Sequence, residues 1–455
     1  VRSRLAIFTT RAVNGTSRRL GRGQGTVAGG RSGLKVDPQL LQHLTSKREV
    51  SLVSGTNGKT TTTRLLAVAL GADGSRVVSN ETGSNMPPGH VAALAADRSA
   101  PRAVLEVDEI YLPRVLAATK PAAVVLLNLS RDQLDRTNEV RMVAGNWRAA
   151  LAAAPHATVV ANADDPLVVW AAGAAARVQW VAAGLSWQLD AVGCPSCEGR
   201  IAFDADGAWA CVMDCGFVRP EPMASLTTEE HGTVYRGVWA DGRDLPIRLV
   251  LPGRFNHANA LMAAVAAESL GIDAAAGLAA MSGIAEVAGR FTTRLVAGVR
   301  TRLMLAKNPA GWSELLDLVG HDDGPIVISI NARTADGADP SWLWDVPFER
   351  LAPRVVVATG DRCRDLSVRL QYAGVAHVTV EDPTEAVRTA HADSHGHIER
   401  VDVIGNYTAF AELLAAGTPE PIETGLVEAA DLHAAGAHVA DGHGAEATGD
   451  RSGGS

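Results

Sequence analysis

A chain of 455 residues, 47% of them apolar, has enough material for two or three packed domains. No stretch reaches the ~18 uninterrupted apolar residues of a membrane-spanning helix, and a net charge of -8 argues against a dedicated nucleic-acid binder. Five cysteines, four of them clustered, suit a reducing cytoplasm and a metal site better than a disulfide framework.

The charge is uneven. The first fifty residues hold ten Lys/Arg and two acids, and Arg2, Arg4, Arg11, Arg18, Arg19 and Arg22 interleave with Leu5, Ile7, Phe8 and Leu20. Residues 1–45 therefore read as a basic segment. It is either a solvated helix or one that touches an anionic surface, such as the inner face of a membrane or a lipid pyrophosphate. It lacks the apolar core and cleavage site of a secretory signal.

Val50-Ser51-Leu52-Val53 reads as a buried parallel strand, and Leu65, Leu66, Val68 and Ala69 are spaced to turn one helical face to a core. Between them lies Gly55-Thr56-Asn57-Gly58-Lys59-Thr60-Thr61, a phosphate-binding loop. Its glycines let the backbone approach a polyphosphate, and the helix opening at Lys59 aims free N–H groups at that charge. Lys59 is placed to reach the outer phosphates of ATP, and Thr60 to offer its hydroxyl to Mg²⁺. Val53 stands where the usual pattern has glycine, which marks a shorter and more specific form of the loop.

Further strands are predicted at 76–79, 103–107, 122–128 and 157–161, and helices at 60–71, 140–153 and 257–270. This alternation predicts an α/β fold, a mostly parallel sheet with helices on both faces, over residues 46–290. Leu105-Glu106-Val107-Asp108-Glu109 closes one strand with three carboxylates. Glu106 is the first choice to hold Mg²⁺ beside the loop, with Asp108 or Glu109 as its partner groups. The turns at Asn128–Arg136 and Ala161–Pro166 also end strands, and the second reads equally well as a capped turn. Asn256 and Asn259 sit three apart at the start of an Ala-rich helix, where their amides either read an adenine edge or cap the helix.

Residues 190–250 break the rhythm. Cys194-Pro195-Ser196-Cys197, then Cys211 and Cys215, form the ligand set of a tetrahedral structural Zn²⁺ site, a zinc ribbon inserted at about 190–220. A second α/β block is expected at 291–425, with strands at Thr301–Leu305, Pro325–Ile330, Val355–Ala358, Val378–Val380 and Val401–Ile404. Residues 426–455 lack periodicity and read as a disordered tail.

Taken together and in this order, Gly-Thr-Asn-Gly-Lys-Thr-Thr, Asn-Leu-Ser-Arg-Asp-Gln-Leu-Asp-Arg, Asn-Ala-Asp-Asp-Pro and Gly-Arg-Phe-Asn-His-Ala-Asn-Ala resemble the Mur ligase family over roughly residues 35 to 425. The resemblance implies a Mur-type central ATP-binding domain and chemistry in which ATP activates a carboxylate as an acyl phosphate for attack by an amine. Two departures matter. Asp132-Gln133 stands where Asp-His is usual, and Asn146-Trp147-Arg148 stands where a carbamylated lysine helps bind a second Mg²⁺.

Segments 305–311 and 331–345 resemble the branch of the family that amidates the α-carboxyl of D-glutamate in the lipid II stem peptide, working as a heterodimer with a glutaminase, GatD. By that resemblance Lys307 lies where the C-terminal domain closes over nucleotide or substrate, and Asp345 completes the partner's Cys–His pair. The residues themselves also suit a split enzyme. Cys363, the one cysteine outside the cluster, lacks the glycine-flanked elbow of a glutamine-attacking nucleophile. The rival readings are a Mur or folylpolyglutamate-type ligase that joins an amino acid, and a non-catalytic ATP-binding scaffold for cell-wall enzymes.

Overall fold

Alternate residues of the central strands point to different layers of helices, and this alternation builds the first half of the molecule. The computed structural model describes residues 2–19, 26–80, 84–131, 140–229, 234–284, 290–320, 324–352, 354–393 and 399–419. Asp132, Gln133 and the tail 426–455 lie outside these residues, as do the side chains of Arg18, Leu20 and Arg22. Residues 1–418 form one compact unit.

The chain opens with helices α1 (Arg2–Arg19), α2 (Thr26–Val36) and α3 (Leu40–Thr45). It continues through β1 (Glu49–Ser54), α4 (Lys59–Leu70), β2 (Val77–Ser79), α5 (Pro87–Ala96), β3 (Arg102–Glu106), α6 (Leu112–Thr119), β4 (Ala123–Leu126), α7 (Val140–Ala152), β5 (Thr158–Asn162), α8 (Pro166–Ala172) and β6 (Val178–Ala182). The small hairpin β7 (Ile201–Phe203) and β8 (Trp209–Cys211) precedes β9 (Ala224–Thr228), β10 (Tyr235–Trp239), β11 (Asp244–Ile247), α9 (Arg254–Glu268) and α10 (Ala274–Met281). The second block runs β12 (Phe291–Val296), β13 (Val299–Leu305), α11 (Pro309–Val319), β14 (Ile326–Ser329), β15 (Val356–Thr359), α12 (Cys363–Tyr372), β16 (His377–Thr379), α13 (Pro383–Asp393), β17 (Val401–Gly405) and α14 (Tyr407–Ala416).

The first sheet has the order β11-β10-β9-β6-β5-β4-β1-β3-β2. It is parallel from β2 to β9 and antiparallel across β9, β10 and β11. β1 lies between β3 and β4, so successive connections leave it in opposite directions and open a crevice at its carboxyl end. Leu52, Val124, Leu126 and Val159 face a core completed by Leu94, Val115 and Trp147. Their neighbours Val53, Val125, Leu127 and Val160 face the opposite core, with Leu65, Leu66 and α9. Helix α9 is buried continuously from Asn256 to Ala267, and its alanines let it lie close between α4 and the sheet.

The second sheet runs β16-β15-β14-β17-β13-β12, parallel except for the β12–β13 hairpin. Trp312 anchors its core, with ring centroids 5.8 Å from Phe348 and 6.0 Å from Trp342. No described helix is long and apolar enough to cross a membrane.

The basic N-terminal segment is a helical hairpin. α1 packs along α2, and α2 along α5. Two of its arginines serve helix ends: Arg2 Nε donates to Val36 O (2.6 Å) at the end of α2, and Arg11 Nε to Ala95 O (2.7 Å) at the end of α5. The α2–α5 approach depends on Gly30, because a Cβ there would fall on the Pro88 carbonyl. Gly15 on α1 has nothing within 4 Å of its Cβ position. Gly30→Ala should therefore destabilise the chain by about 2–3 kcal/mol, and Gly15→Ala should stabilise it by about 0.5–1 kcal/mol. Urea unfolding of the two variants measures both, and equal effects would contradict this packing.

Candidate active site

The tip of β1 turns into the loop at Gly55, where the chain runs against β4. A Cβ on Gly55 would lie 2.9 Å from Leu127 Cβ, and Gly58, in the left-handed region with φ of 85°, would press on Asn259 Oδ1 at 2.8 Å. The loop is braced by the residues that follow β4. Thr56 N donates to Asn128 O (2.9 Å), Asn57 N to Asn128 Oδ1 (2.9 Å), and Ser130 N to Thr56 Oγ1 (2.9 Å). Gly58 is the N-cap of α4, and no side chain caps it, so the first turn keeps its N–H groups aimed into the crevice.

Lys59 and Thr60 point to different partners. Lys59 Nζ donates to Gly55 O (2.5 Å) and Thr56 O (3.1 Å) and pairs with Glu109 Oε2 (3.1 Å), its side chain only 10% exposed. Thr60 Oγ1 donates to Glu106 Oε2 at 2.8 Å. Glu106 is buried and its backbone is held on both sides. Its N–H donates to Asn80 Oδ1 (2.8 Å), and its carbonyl accepts from Asn80 Nδ2 (2.9 Å) and His90 Nε2 (2.8 Å). Burial pushes the His90 pKa down to about 4, so the ring is neutral and donates through Nε2. Glu109 is steadied by the fully buried Trp147, whose Nε1 donates to Glu109 O at 2.8 Å. The Asn146-Trp147-Arg148 segment thus presents an indole to the backbone carbonyl of the residue whose carboxylate holds Lys59.

A cavity of about 740 Å³ lies in front of the loop, closed on its far side by the second block. Lys307, Gly311, Glu314, Leu315 and Tyr407 form that far wall. The two halves touch directly at the loop: Asn57 Nδ2 donates to Asn308 Oδ1 (3.1 Å), and Asn308 Nδ2 to Asn57 Oδ1 (3.2 Å). Asn308 also caps α11. Lys307 Nζ lies 5.5 Å from the Tyr407 ring centroid. The two asparagines of α9 both line the cavity but differ in their contacts, Asn259 resting on Gly58 and Asn256 donating to Pro252 O at 2.6 Å.

Several wall residues carry no sequence signal. Arg290 enters from the turn before β12, Phe291 from the first position of β12, Tyr111 from the loop before α6, and Glu314 from α11. Burial raises the Glu314 pKa, although Ser186 Oγ donates to it at 2.5 Å. The strand-end turn at Asn162–Asp165 is a brace. Asp165 is fully buried, accepts from Leu129 N (2.8 Å) and caps α8, and burial pushes its pKa up to about 6.

The four clustered cysteines converge. Their Sγ atoms all lie within 4.8 Å of one another, with Cys194–Cys215 at 3.7 Å and Cys197–Cys211 at 3.4 Å. A tetrahedral Zn²⁺ with bonds of ~2.3 Å has sulfur–sulfur edges of about 3.8 Å, so the donor set fits the ion in both chemistry and spacing. The extra residue of the second knuckle is absorbed by Asp214, in the left-handed region at φ 52°. Met213 N–H donates to Cys211 Sγ at 3.4 Å and is the largest factor lowering that thiol to about 7. The ribbon is seated on the first sheet by Trp209 Nε1, donating to Ala163 O (3.0 Å), and by Arg219, paired with Asp164 (2.6 Å).

Asp345 lies outside the cavity wall. It ends a short 3₁₀ turn, Ser341–Asp345, in which Trp342 is buried and Trp344 is 55% exposed. Its carboxylate, one third exposed, is 3.5 Å from Arg131 Nη2. The same guanidinium donates through Nε to Asp190 (2.6 Å), and Trp344 stacks edge-on to the exposed Tyr372.

Known proteins match this architecture. Residues 53–187 match the Mur ligase middle domain, and residues 305–410 match the MurT ligase C-terminal domain. The chain is 28% identical over 442 residues to the lipid II isoglutaminyl synthase (glutamine-hydrolyzing) subunit MurT of Streptococcus pneumoniae, spanning 91% of this chain and 98% of that one. It is 29% identical over 431 residues to the subunit of the same name in Staphylococcus aureus, spanning 90% and 96%. Among solved structures, the pseudomurein peptide ligase type C from Methanothermus fervidus has the same fold, with a TM-score of 0.64 and 20% identity over 83% of this chain and 80% of that one. A Mur ligase middle domain is here joined to a MurT-type C-terminal domain, and the chain belongs to the MurT branch of the Mur ligase family.

Proposed function

We propose that this chain is the ATP-dependent subunit of a ligase that amidates the α-carboxyl of D-glutamate in the lipid II stem peptide, using ammonia from a GatD-like glutaminase. The observation that carries the reading is the buried Thr60–Glu106 pair beneath Lys59, facing Lys307 across the cavity. The names of the relatives, which match almost end to end, support the substrate.

Backbone N–H groups at Gly58, Lys59, Thr60 and Thr61 bind the β- and γ-phosphates. Lys59 exchanges two loop carbonyls for phosphate oxygens and steadies the charge on the phosphoryl group in flight. Thr60 and Glu106 would hold Mg²⁺, which would supply neutralisation of charge on the phosphate oxygens. Phe255, Phe291 and Leu315 provide apolar walls for the base, and Asn256 an amide for its edge. The stem-peptide carboxylate attacks the γ-phosphorus, breaking its bond to ADP and forming an acyl phosphate. Ammonia then attacks the acyl carbon, inorganic phosphate leaves, and the nitrogen loses a proton. Closure of the second block, with Lys307 and the Asn57–Asn308 contact, keeps water from the acyl phosphate.

The nitrogen comes from another polypeptide, because no thiol here is suited to attack glutamine. Four sit in the cluster, and burial first raises the pKa of Cys363, which is 3% exposed. Asp345, half-buried beside the exposed Trp344, is offered to the partner's imidazole as its orienting carboxylate. The four-cysteine ribbon holds a structural Zn²⁺.

Three outcomes are expected. Lys59→Ala lowers product formation by about a hundredfold or more, measured with the partner subunit, ATP and lipid II. Asp345→Asn lowers glutamine-driven amidation by about 10³–10⁴-fold while ammonia-driven amidation and ATP binding persist. Equal loss with both nitrogen sources would remove Asp345 from glutamine hydrolysis. Metal analysis of the purified chain finds about one zinc per chain, and Cys194→Ser with Cys211→Ser loses the metal together with several degrees of melting temperature. Retention of zinc by that variant would overturn the ribbon assignment.

A further inference from the structure

Helices α1, α2, α3 and α5 pack against one another and together carry seven Lys/Arg and not one Asp or Glu, in a chain whose net charge is -8. Of the two acids in the first fifty residues, Asp37 is buried against His43 (2.9 Å), and Glu49 is paired with Arg102 (3.1 Å). The N-terminal lobe is therefore a positive pole on an acidic protein.

α1 sorts its residues by face. Ala6, Ile7 and Thr10 are buried, whereas Arg2, Arg4, Leu5, Phe8, Arg11, Ala12, Thr16 and Arg19 are exposed. At 100° per residue those eight fall within an arc of about 180°. Phe8 and Leu5, 69% and 55% exposed, lie on either side of the middle of that arc, among the arginines. Arg11 also caps α5 through Nε and Nη2, which leaves its charge on the same face. A face built only for water has no use for two large apolar side chains one turn apart. A nucleic acid satisfies the arginines but offers no apolar phase to Leu5 and Phe8. A bilayer with acidic headgroups satisfies both, with phosphates for the guanidinium groups and the headgroup–acyl boundary for the apolar pair.

We propose that the outward face of α1 docks this protein on an anionic lipid bilayer, with Phe8 and Leu5 entering the interface and Arg4, Arg11 and Arg19 pairing with lipid phosphates. The proposal does not rest on the amidation chemistry, and it is tested without the peptide precursor. The full chain is sedimented with phosphatidylglycerol–phosphatidylcholine vesicles and with pure phosphatidylcholine vesicles, over a range of salt. Wild type should bind the mixed vesicles at least about tenfold more tightly, and the difference should shrink as salt rises. Arg4→Gln with Arg19→Gln should lower partitioning about twenty-fivefold, about fivefold per charge. Leu5→Ser with Phe8→Ser should lower it about tenfold. Both variants should melt with wild type, since all four side chains are exposed. Equal binding to the two vesicle types, wild-type binding by either variant, or binding to RNA without binding to vesicles would each overturn the proposal.

Discussion

The uncapped first turn of α4, at the centre of the first sheet, is the constraint on which the rest of the site is built. N–H groups that end a helix without a side-chain cap are normally satisfied by water or a ligand. Here they are aimed into a crevice by a loop that nearby groups hold open. Asn128 binds the loop's backbone and Ser130 the Thr56 hydroxyl, Asp165 binds Leu129 between them, and Asp165 also caps α8. The polar network runs from α8 through the tip of β4 to Thr56 and Asn57, and it leaves the N–H groups of α4 to an anion.

The same geometry concentrates charge that would be costly without a ligand or a partner. Lys59 and Glu109 are both largely buried and paired, and breaking such a pair typically costs about 3–5 kcal/mol. Glu106 is buried too, and its carboxylate faces the Thr60 hydroxyl. A fold that keeps two acids and a lysine this close, at the carboxyl ends of β1 and β3, spends stability on them. That arrangement fits a site for polyphosphate and a divalent cation better than one for stability alone.

Much of the first sheet was readable because its strands are short apolar runs ended by turn residues. The predicted strands at 50–54, 103–107, 122–128 and 157–161 correspond to β1, β3, β4 and β5 with ends shifted by one or two residues. Helices α5 and α6 escaped notice because prolines at their first turns resemble loop signals, although proline is well suited to that position. β12 escaped because Phe291–Val296 mixes threonine and arginine among its apolar residues as half of a hairpin. In the site, the loop and Glu106 were visible as local patterns. Arg290, Glu314 and the Asn57–Asn308 contact were not, since residues 251 apart in sequence meet only when the second block packs on the first. The four cysteines were visible by spacing, and they converge despite an irregular second knuckle whose Cys215 is flanked by two left-handed residues, Asp214 and Gly216.

Arg131 shows how the two halves are kept in register away from the cavity. It immediately follows Ser130, which binds Thr56, and its guanidinium reaches Asp190 before the ribbon and Asp345 in the second block. An ion pair as exposed as Arg131–Asp345 contributes little to stability. Its effect is directional: it fixes where a surface carboxylate points, beside an exposed tryptophan. If Asp345 serves a partner's imidazole, that imidazole must share the carboxylate with Arg131, and the nitrogen released there must still reach the cavity that Lys307 faces. The amidation reading therefore requires two centres on one chain, joined through the segment that also supports the phosphate loop.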